Sequence, residues 1–175
     1  TQLAHRPWTI ITYMVSNQRF WILFLNLWML YFGGIIFVQF LSQKQLALIY
    51  GLGGLFGALF FVLSYNVFPA LKEICETSYV MGASASTLAI IVAAAAYNPD
   101  YELRMMLFGG IKYKWLAIIL IVIDVLTIDA ANPGTKIAHL GGAAFGFVYG
   151  LLLRTDFSWG KLFHSKKREN DFEYT

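Results

Sequence analysis

Three residues of this chain are of the types that acyl transfer requires. Ser84 stands in the small-residue run Val80-Met81-Gly82-Ala83-Ser84-Ala85-Ser86-Thr87-Leu88-Ala89, where an apolar helix is predicted to start. A serine hydroxyl is a weak nucleophile at its own pKa and needs a base within hydrogen-bond reach before it can attack a carbonyl. His139 is the candidate base: it opens the last apolar stretch in Ile137-Ala138-His139-Leu140-Gly141-Gly142, whereas the other two histidines lie in polar segments at the chain ends. Asn26 is the strongly polar group of the first apolar segment, Phe20-Trp21-Ile22-Leu23-Phe24-Leu25-Asn26-Leu27-Trp28. Nucleophile, general base and amide donor for an oxyanion are the parts such chemistry calls for. Each has a plainer reading as well, since a lone histidine or asparagine in hydrocarbon serves equally as hydrogen-bonding glue between helices.

The elements that must position these side chains are helices in a membrane. With 175 residues, 58% hydrophobic and 13% charged, and a mean hydropathy of +0.61, the chain is too apolar for an ordinary soluble domain. Five apolar segments are marked at about 21–40, 46–68, 80–97, 113–128 and 137–153; a span needs about 17 to 25 residues, which makes the fourth marginal. None has the flanks of a cleaved signal peptide. Cys75 is the single cysteine, so neither a disulfide framework nor a cysteine metal site is available. The predicted fold class is all-α, a polytopic transmembrane helical bundle.

Charge orients the bundle. Of the 13 Lys and Arg, Lys44, Arg104, Lys112, Lys114, Arg154, Lys161, Lys166, Lys167 and Arg168 follow the first, third and fifth segments, and only Arg6, Arg19, Lys72 and Lys136 precede them. Basic residues mark the cytoplasmic side, so the C-terminus is expected in the cytoplasm. The basic residues are juxtamembrane and explained by topology, which speaks against nucleic-acid binding. Entry from outside at Thr1 leads us to expect a further segment upstream. Asn26, Ser84 and His139 all sit on odd-numbered segments, each within about 8 Å of its helix start at 1.5 Å rise per residue. Their shared depth raises the acyl-transfer reading above glue.

Packing is legible in the small residues. Gly53/Gly57 and Gly54/Ala58 in the second segment are small-xxx-small pairs, and Gly51 adds to them. Ala85, Ala89, Ala93 and Ala96 give the third segment a smooth face; His139, Gly142, Gly146 and Gly150 share one face of the fifth, able to meet another backbone closely. Asp124 could orient His139, although its reading as a near-interface carboxylate carries more weight. Lys72, Glu73 and Glu76 read as a solvated outer loop, residues 101–112 as an inner loop, and 129–135 as a turn able to cap a cavity. The aromatic stretch from Arg6 to Val15 suits the membrane interface. A soluble Gly-x-Ser-x-Gly elbow is ruled out, because Ser86 takes the place of its final glycine and no strand precedes it.

At these residues the chain resembles the rhomboid family of intramembrane serine proteases, bacterial type. Gly82-Ala83-Ser84-Ala85 is similar to the family's Gly-x-Ser-x motif, and Ala138-His139 with Gly142 and Gly146 to the motif on its last core helix. Asn26 matches the asparagine of the family's His-x-x-x-Asn motif, and Trp8, Thr12 and Tyr13 resemble its interfacial loop. Ile22 stands where the oxyanion histidine is usual, Thr9 where arginine often follows the tryptophan, Ala85 where glycine often follows the nucleophile, and Leu88 where an aromatic residue often stacks on the histidine. The resemblance implies a rhomboid-like membrane domain over 1–155, with an interfacial loop to residue 20, five transmembrane helices over 21–153 and the family's first helix missing upstream. A basic cytoplasmic tail over 156–175 follows. It implies a Ser84/His139 dyad, an oxyanion held by Asn26 and the Ser84 N–H, and Gly82, Gly142 and Gly146 in support. Transmembrane protein substrates, no metal, no cofactor and a bacterial inner-membrane location also follow. The alternative is a catalytically impaired relative that binds transmembrane helices as an assembly or quality-control subunit, for which Ile22 speaks. A transporter or channel is disfavoured, since no span carries a ring of charges or a broken helix pair.

Overall fold

Every residue from Ala85 to Ala96 is buried, and the other helices are arranged around the one that carries them. The computed structural model describes residues 8–13, 20–72, 78, 80, 82–105, 109–128 and 133–155. In chain order these form α1 (Thr9–Thr12), α2 (Phe20–Phe40), α3 (Gln43–Val67), α4 (Pro69–Lys72), α5 (Ser84–Tyr97), β1 (Glu102–Met105), β2 (Gly109–Lys112), α6 (Tyr113–Leu126) and α7 (Gly134–Arg154). The tail over 156–175, Glu73, Cys75 and Glu76, the turn residues 129–132 and the Ile22 side chain lie outside the described residues.

Local chemistry sets the helix ends. Ser42 caps α3: its hydroxyl accepts from the Gln45 N–H while the Gln45 side chain accepts from the Ser42 N–H at 2.8 Å, a reciprocal capping box. Phe68 is extended, as the residue before Pro69 must be, and α3 stops there. Asn98-Pro99 ends α5, and Pro133, whose ring is preorganised for a first turn, precedes α7. Beyond α5, Asp100 accepts from Lys112 and Lys114 at 3.0 and 3.2 Å. The two ammonium hydrogen bonds hold its carboxyl below the usual carboxylate range, and as exposed pairs they add little stability.

The apolar segments become α2, α3, α5, α6 and α7, but their lengths differ. Leu23–Phe40, Gln43–Val67 and Gly134–Arg154 are long and apolar enough to cross a membrane. Helices α5 and α6 have 14 residues each, about 21 Å at 1.5 Å per residue, where the hydrocarbon core is about 30 Å. The third segment, expected from Val80, turns helical only at Ser84. The expected inner loop is also ordered differently. Residues 102–105 and 109–112 pair as an antiparallel hairpin, Leu103 opposite Ile111 and Glu102 opposite Lys112, with Leu103 buried against the core.

The two small-residue faces interlock. A Cβ added at Gly142 would strike the Ala85 carbonyl group, its carbon only 2.9 Å away; one at Gly146 would lie 2.8 Å from Ala89 Cα; one at Gly150 would lie 2.8 Å from Ala96 Cβ. Helix α3 closes on both, since a Cβ at Gly53 would lie 2.5 Å from Ala89 Cβ and one at Gly57 2.8 Å from Ala138 O and 2.9 Å from Ala85 Cβ. Gly51 differs: nothing lies within 4 Å of a Cβ there, so it is no part of the packing face. Outside this junction the chain presents large apolar side chains, with Phe20, Trp21, Trp28 and Tyr31 among the most exposed on α2, as a lipid-facing surface should.

We expect Gly142→Val to lower thermal stability by about 1–3 kcal/mol through overpacking against a backbone that cannot yield, and Gly51→Ala to leave it unchanged or raise it by up to about 1 kcal/mol through helix propensity. Melting of the detergent-solubilised variants checks both, and equal melting temperatures for the two would contradict the close approach.

Candidate active site

The approach to Ser84 is built around one glycine. Gly82 has φ 98, a left-handed conformation that residues with a Cβ adopt only at a cost. Its N–H donates to the Tyr13 carbonyl at 2.8 Å, and the Tyr13 hydroxyl donates to Gly54 O at 2.7 Å. Tyr13 thus links the short helix α1, the packing face of α3 and the turn before the serine. Burial pushes its phenol well above the ordinary tyrosine range, so it remains a donor. The sequence pattern suggested an interfacial anchor for this stretch; Trp8 is exposed as an anchor would be, but Tyr13 is buried. Ala83 follows as the residue before the helix, its carbonyl accepting from both the N–H and the hydroxyl of Thr87, at 2.8 and 2.9 Å. Ser84 is the first residue of α5.

Across the junction, His139 lies in the second turn of α7, one turn before Gly142. The contact of Gly142 with Ala85 brings the two helices close enough for Ser84 Oγ to hydrogen-bond His139 Nε2, across 55 positions of sequence. On its other side, His139 Nδ1 lies 2.9 Å from Asp124 Oδ2 on α6, and Lys136 Nζ donates to Asp124 Oδ1 at 2.6 Å. The His139 and Asp124 side chains are each 12% exposed, a pocket nearly closed to solvent.

Of the residues singled out by sequence, Ser84 and His139 are brought together, and Gly82, Gly142 and Gly146 line the turn and the seam that hold them. Asn26 is buried on α2, which packs against α5. Asp124, read with more weight as a near-interface carboxylate than as an orienter of His139, is buried in the last turn of α6 and bonded to Lys136 and His139 of α7. Lys136, counted among the basic residues that precede the fifth segment, belongs to α7 and to this cluster. Ser86, two residues after Ser84, is fully buried beneath Gly53 with its hydroxyl unpartnered among the described residues, a packing position.

Fold and site together define a helical integral membrane protein with a serine and a histidine hydrogen-bonded at one end of its central helices. A model of the Rhomboid domain matches residues 4–156, and the chain belongs to the rhomboid family. Comparison with curated proteins found no match, and comparison with solved structures found none.

Gly82→Ala should cost about 1–2 kcal/mol, the penalty for a left-handed residue with a Cβ, and should slow reaction of Ser84 with a serine-directed fluorophosphonate, because the turn that presents it must rearrange. Labelling rates of folded protein, compared between the two chains, check this; equal rates would mean the turn does not set the serine.

Proposed function

We propose that this protein is an intramembrane serine protease that cuts transmembrane segments of other membrane proteins near the extracytoplasmic side. The observation that carries the reading is the hydrogen bond between Ser84 Oγ and His139 Nε2. His139 takes the hydroxyl proton as Oγ attacks the peptide carbonyl and gives it to the leaving amine; water then attacks the acyl-enzyme by the same route. The Ser84 N–H belongs to the first turn of α5, whose N–H groups have no intrahelical acceptor. It is one oxyanion donor, at the helix end where the dipole favours negative charge. The Asn26 side chain is the other. Neither a metal nor a cofactor takes part. Suitable substrates are helices that unwind readily at small residues, since a strand drawn into the site gives up its own backbone hydrogen bonds. In this reading the C-terminus is cytoplasmic, which the excess of Lys and Arg after the first, third and fifth segments supports, the serine end of the bundle is outside, and the membrane is of the bacterial inner type that the resemblance implies.

Ile22 favours a second reading. It stands where the family's oxyanion histidine is usual and cannot donate a hydrogen bond, and a chain so impaired would hold transmembrane helices as an assembly or quality-control subunit without cutting them.

Ser84→Ala and His139→Ala should each abolish cleavage of a reporter transmembrane substrate, and the double variant should be no worse than either, because nucleophile and base act as a unit. Native turnover in Ser84→Ala would end the proteolytic reading. Losing one oxyanion donor costs a soluble protease about 10²- to 10³-fold in rate, so Ile22→His should raise Ser84-dependent cleavage by up to that factor, and the gain should vanish in Asn26→Ala. If neither the native chain nor Ile22→His cuts any helix-breaking substrate, the binding role takes over.

A further inference from the structure

Asp124 interrupts an otherwise apolar run, Leu116-Ala117-Ile118-Ile119-Leu120-Ile121-Val122-Ile123-Asp124-Val125-Leu126, in the last turn of α6. A carboxylate is disfavoured there twice over. The dipole of its own helix places negative charge at that end, and an ionised group at membrane depth is costly. What offsets the cost comes from α7. Lys136 and His139, three residues apart, occupy one face of that helix on successive turns, and both reach the same carboxyl group, Lys136 at Oδ1 and His139 at Oδ2.

The chemistry of the donors fixes the proton positions. An ammonium has only donors, so Oδ1 accepts from Lys136, and a cation 2.6 Å away favours the ionised carboxylate, which can only accept. His139 Nδ1 must then carry a hydrogen, and in the neutral ring that leaves Nε2 with the lone pair, facing the Ser84 hydroxyl. That is the tautomer a general base requires. The opposite tautomer would present an N–H to the serine and could not accept its proton.

We propose that Asp124, held by Lys136, is a positioning residue for His139: it fixes the tautomer and ring orientation that make Nε2 the base, and it balances the imidazolium formed when Ser84 attacks. The inference rests on the proteolytic reading of Ser84 and His139, and extends the pair to the ordered series Lys136, Asp124, His139, Ser84. No proton passes to Asp124. The serine proton moves from Oγ to Nε2 as the Oγ–carbon bond forms, and from Nε2 to the departing amine as the carbon–nitrogen bond breaks. The Nδ1 hydrogen stays in place throughout, and Lys136 keeps the far oxygen charged.

The test combines kinetics with a tautomer readout. Native protein and the near-isosteric Asp124→Asn are prepared with ¹⁵N-labelled histidine, the His139 signals being those lost in His139→Ala. At alkaline pH the native ring should be neutral with its hydrogen on Nδ1. In Asp124→Asn the single tautomer should be lost, since an amide can either donate or accept, and kcat on a transmembrane reporter should fall, by up to the roughly 10⁴-fold seen for the same change in soluble Ser-His-Asp proteases, with KM unchanged. Lys136→Met should lower kcat in the same direction by a smaller factor. The proposal is overturned if Asp124→Asn keeps the Nδ1–H tautomer, or if its kcat per folded molecule equals the native value. Should the native chain cut no substrate, the proteolytic reading fails by itself, and the tautomer readout alone then decides whether Asp124 sets the imidazole.

Discussion

The separation between the backbones of α5 and α7 is the constraint on which the site depends. A serine side chain reaches one atom past its Cβ, so it can bond an imidazole on a neighbouring helix only if the two axes are nearly in contact. Gly142, Gly146 and Gly150 against Ala85, Ala89, Ala93 and Ala96 provide that contact over the length of α5. In a membrane no hydrophobic force draws helices together, and close packing of small faces is what remains. Gly57 of α3, set against Ala138 and Ala85, locks the neighbours of both reactive residues at once. The seam is therefore structure and chemistry together: the same glycines that allow the helices to associate determine where the histidine sits.

A second requirement is that polar groups withdrawn from water satisfy one another. Asp124, Lys136 and His139 would each be costly alone in an apolar setting, and they are disposed so that each bond serves two of them. The cluster gathers residues from α6 and α7 at the end where α5 begins. Tyr13 does comparable work on the other flank with uncharged groups, tying the backbone of Gly82 to that of Gly54.

Much of this was legible before any coordinates. The apolar helices follow from composition, the pairing of Ser84 with His139 from residue types and shared depth, and the small-residue faces from helical spacing, because the 3.6-residue period puts positions 139, 142, 146 and 150 on one face whatever else the chain does. What was not legible depends on relations between segments. Asp124 lies 15 positions from His139 on another helix, and nothing in the spacing within α6 indicates which way it faces; the sequence offered it as an orienter of His139 with the lesser weight and gave Lys136 no part in the pair. The paired strands β1 and β2 were missed because strands of four residues leave too little alternation to register. The late start of α5 was missed because Val80 and Met81 are as apolar as the helix that follows, and hydropathy alone does not separate a helix from the strap leading into it.

That short central helix has a consequence for the way the protein meets its surroundings. With every residue from Ala85 to Ala96 buried, α5 has no length to match to the lipid. Hydrophobic mismatch in a thicker or thinner bilayer falls on α2 and α7, with 21 residues each, and on α3, with 25, which answer it by tilting or by deforming the lipid around them. The depth of Ser84 is thus referenced to the protein's own scaffold, and membrane thickness reaches the serine through the contacts that α2, α3 and α7 make with α5.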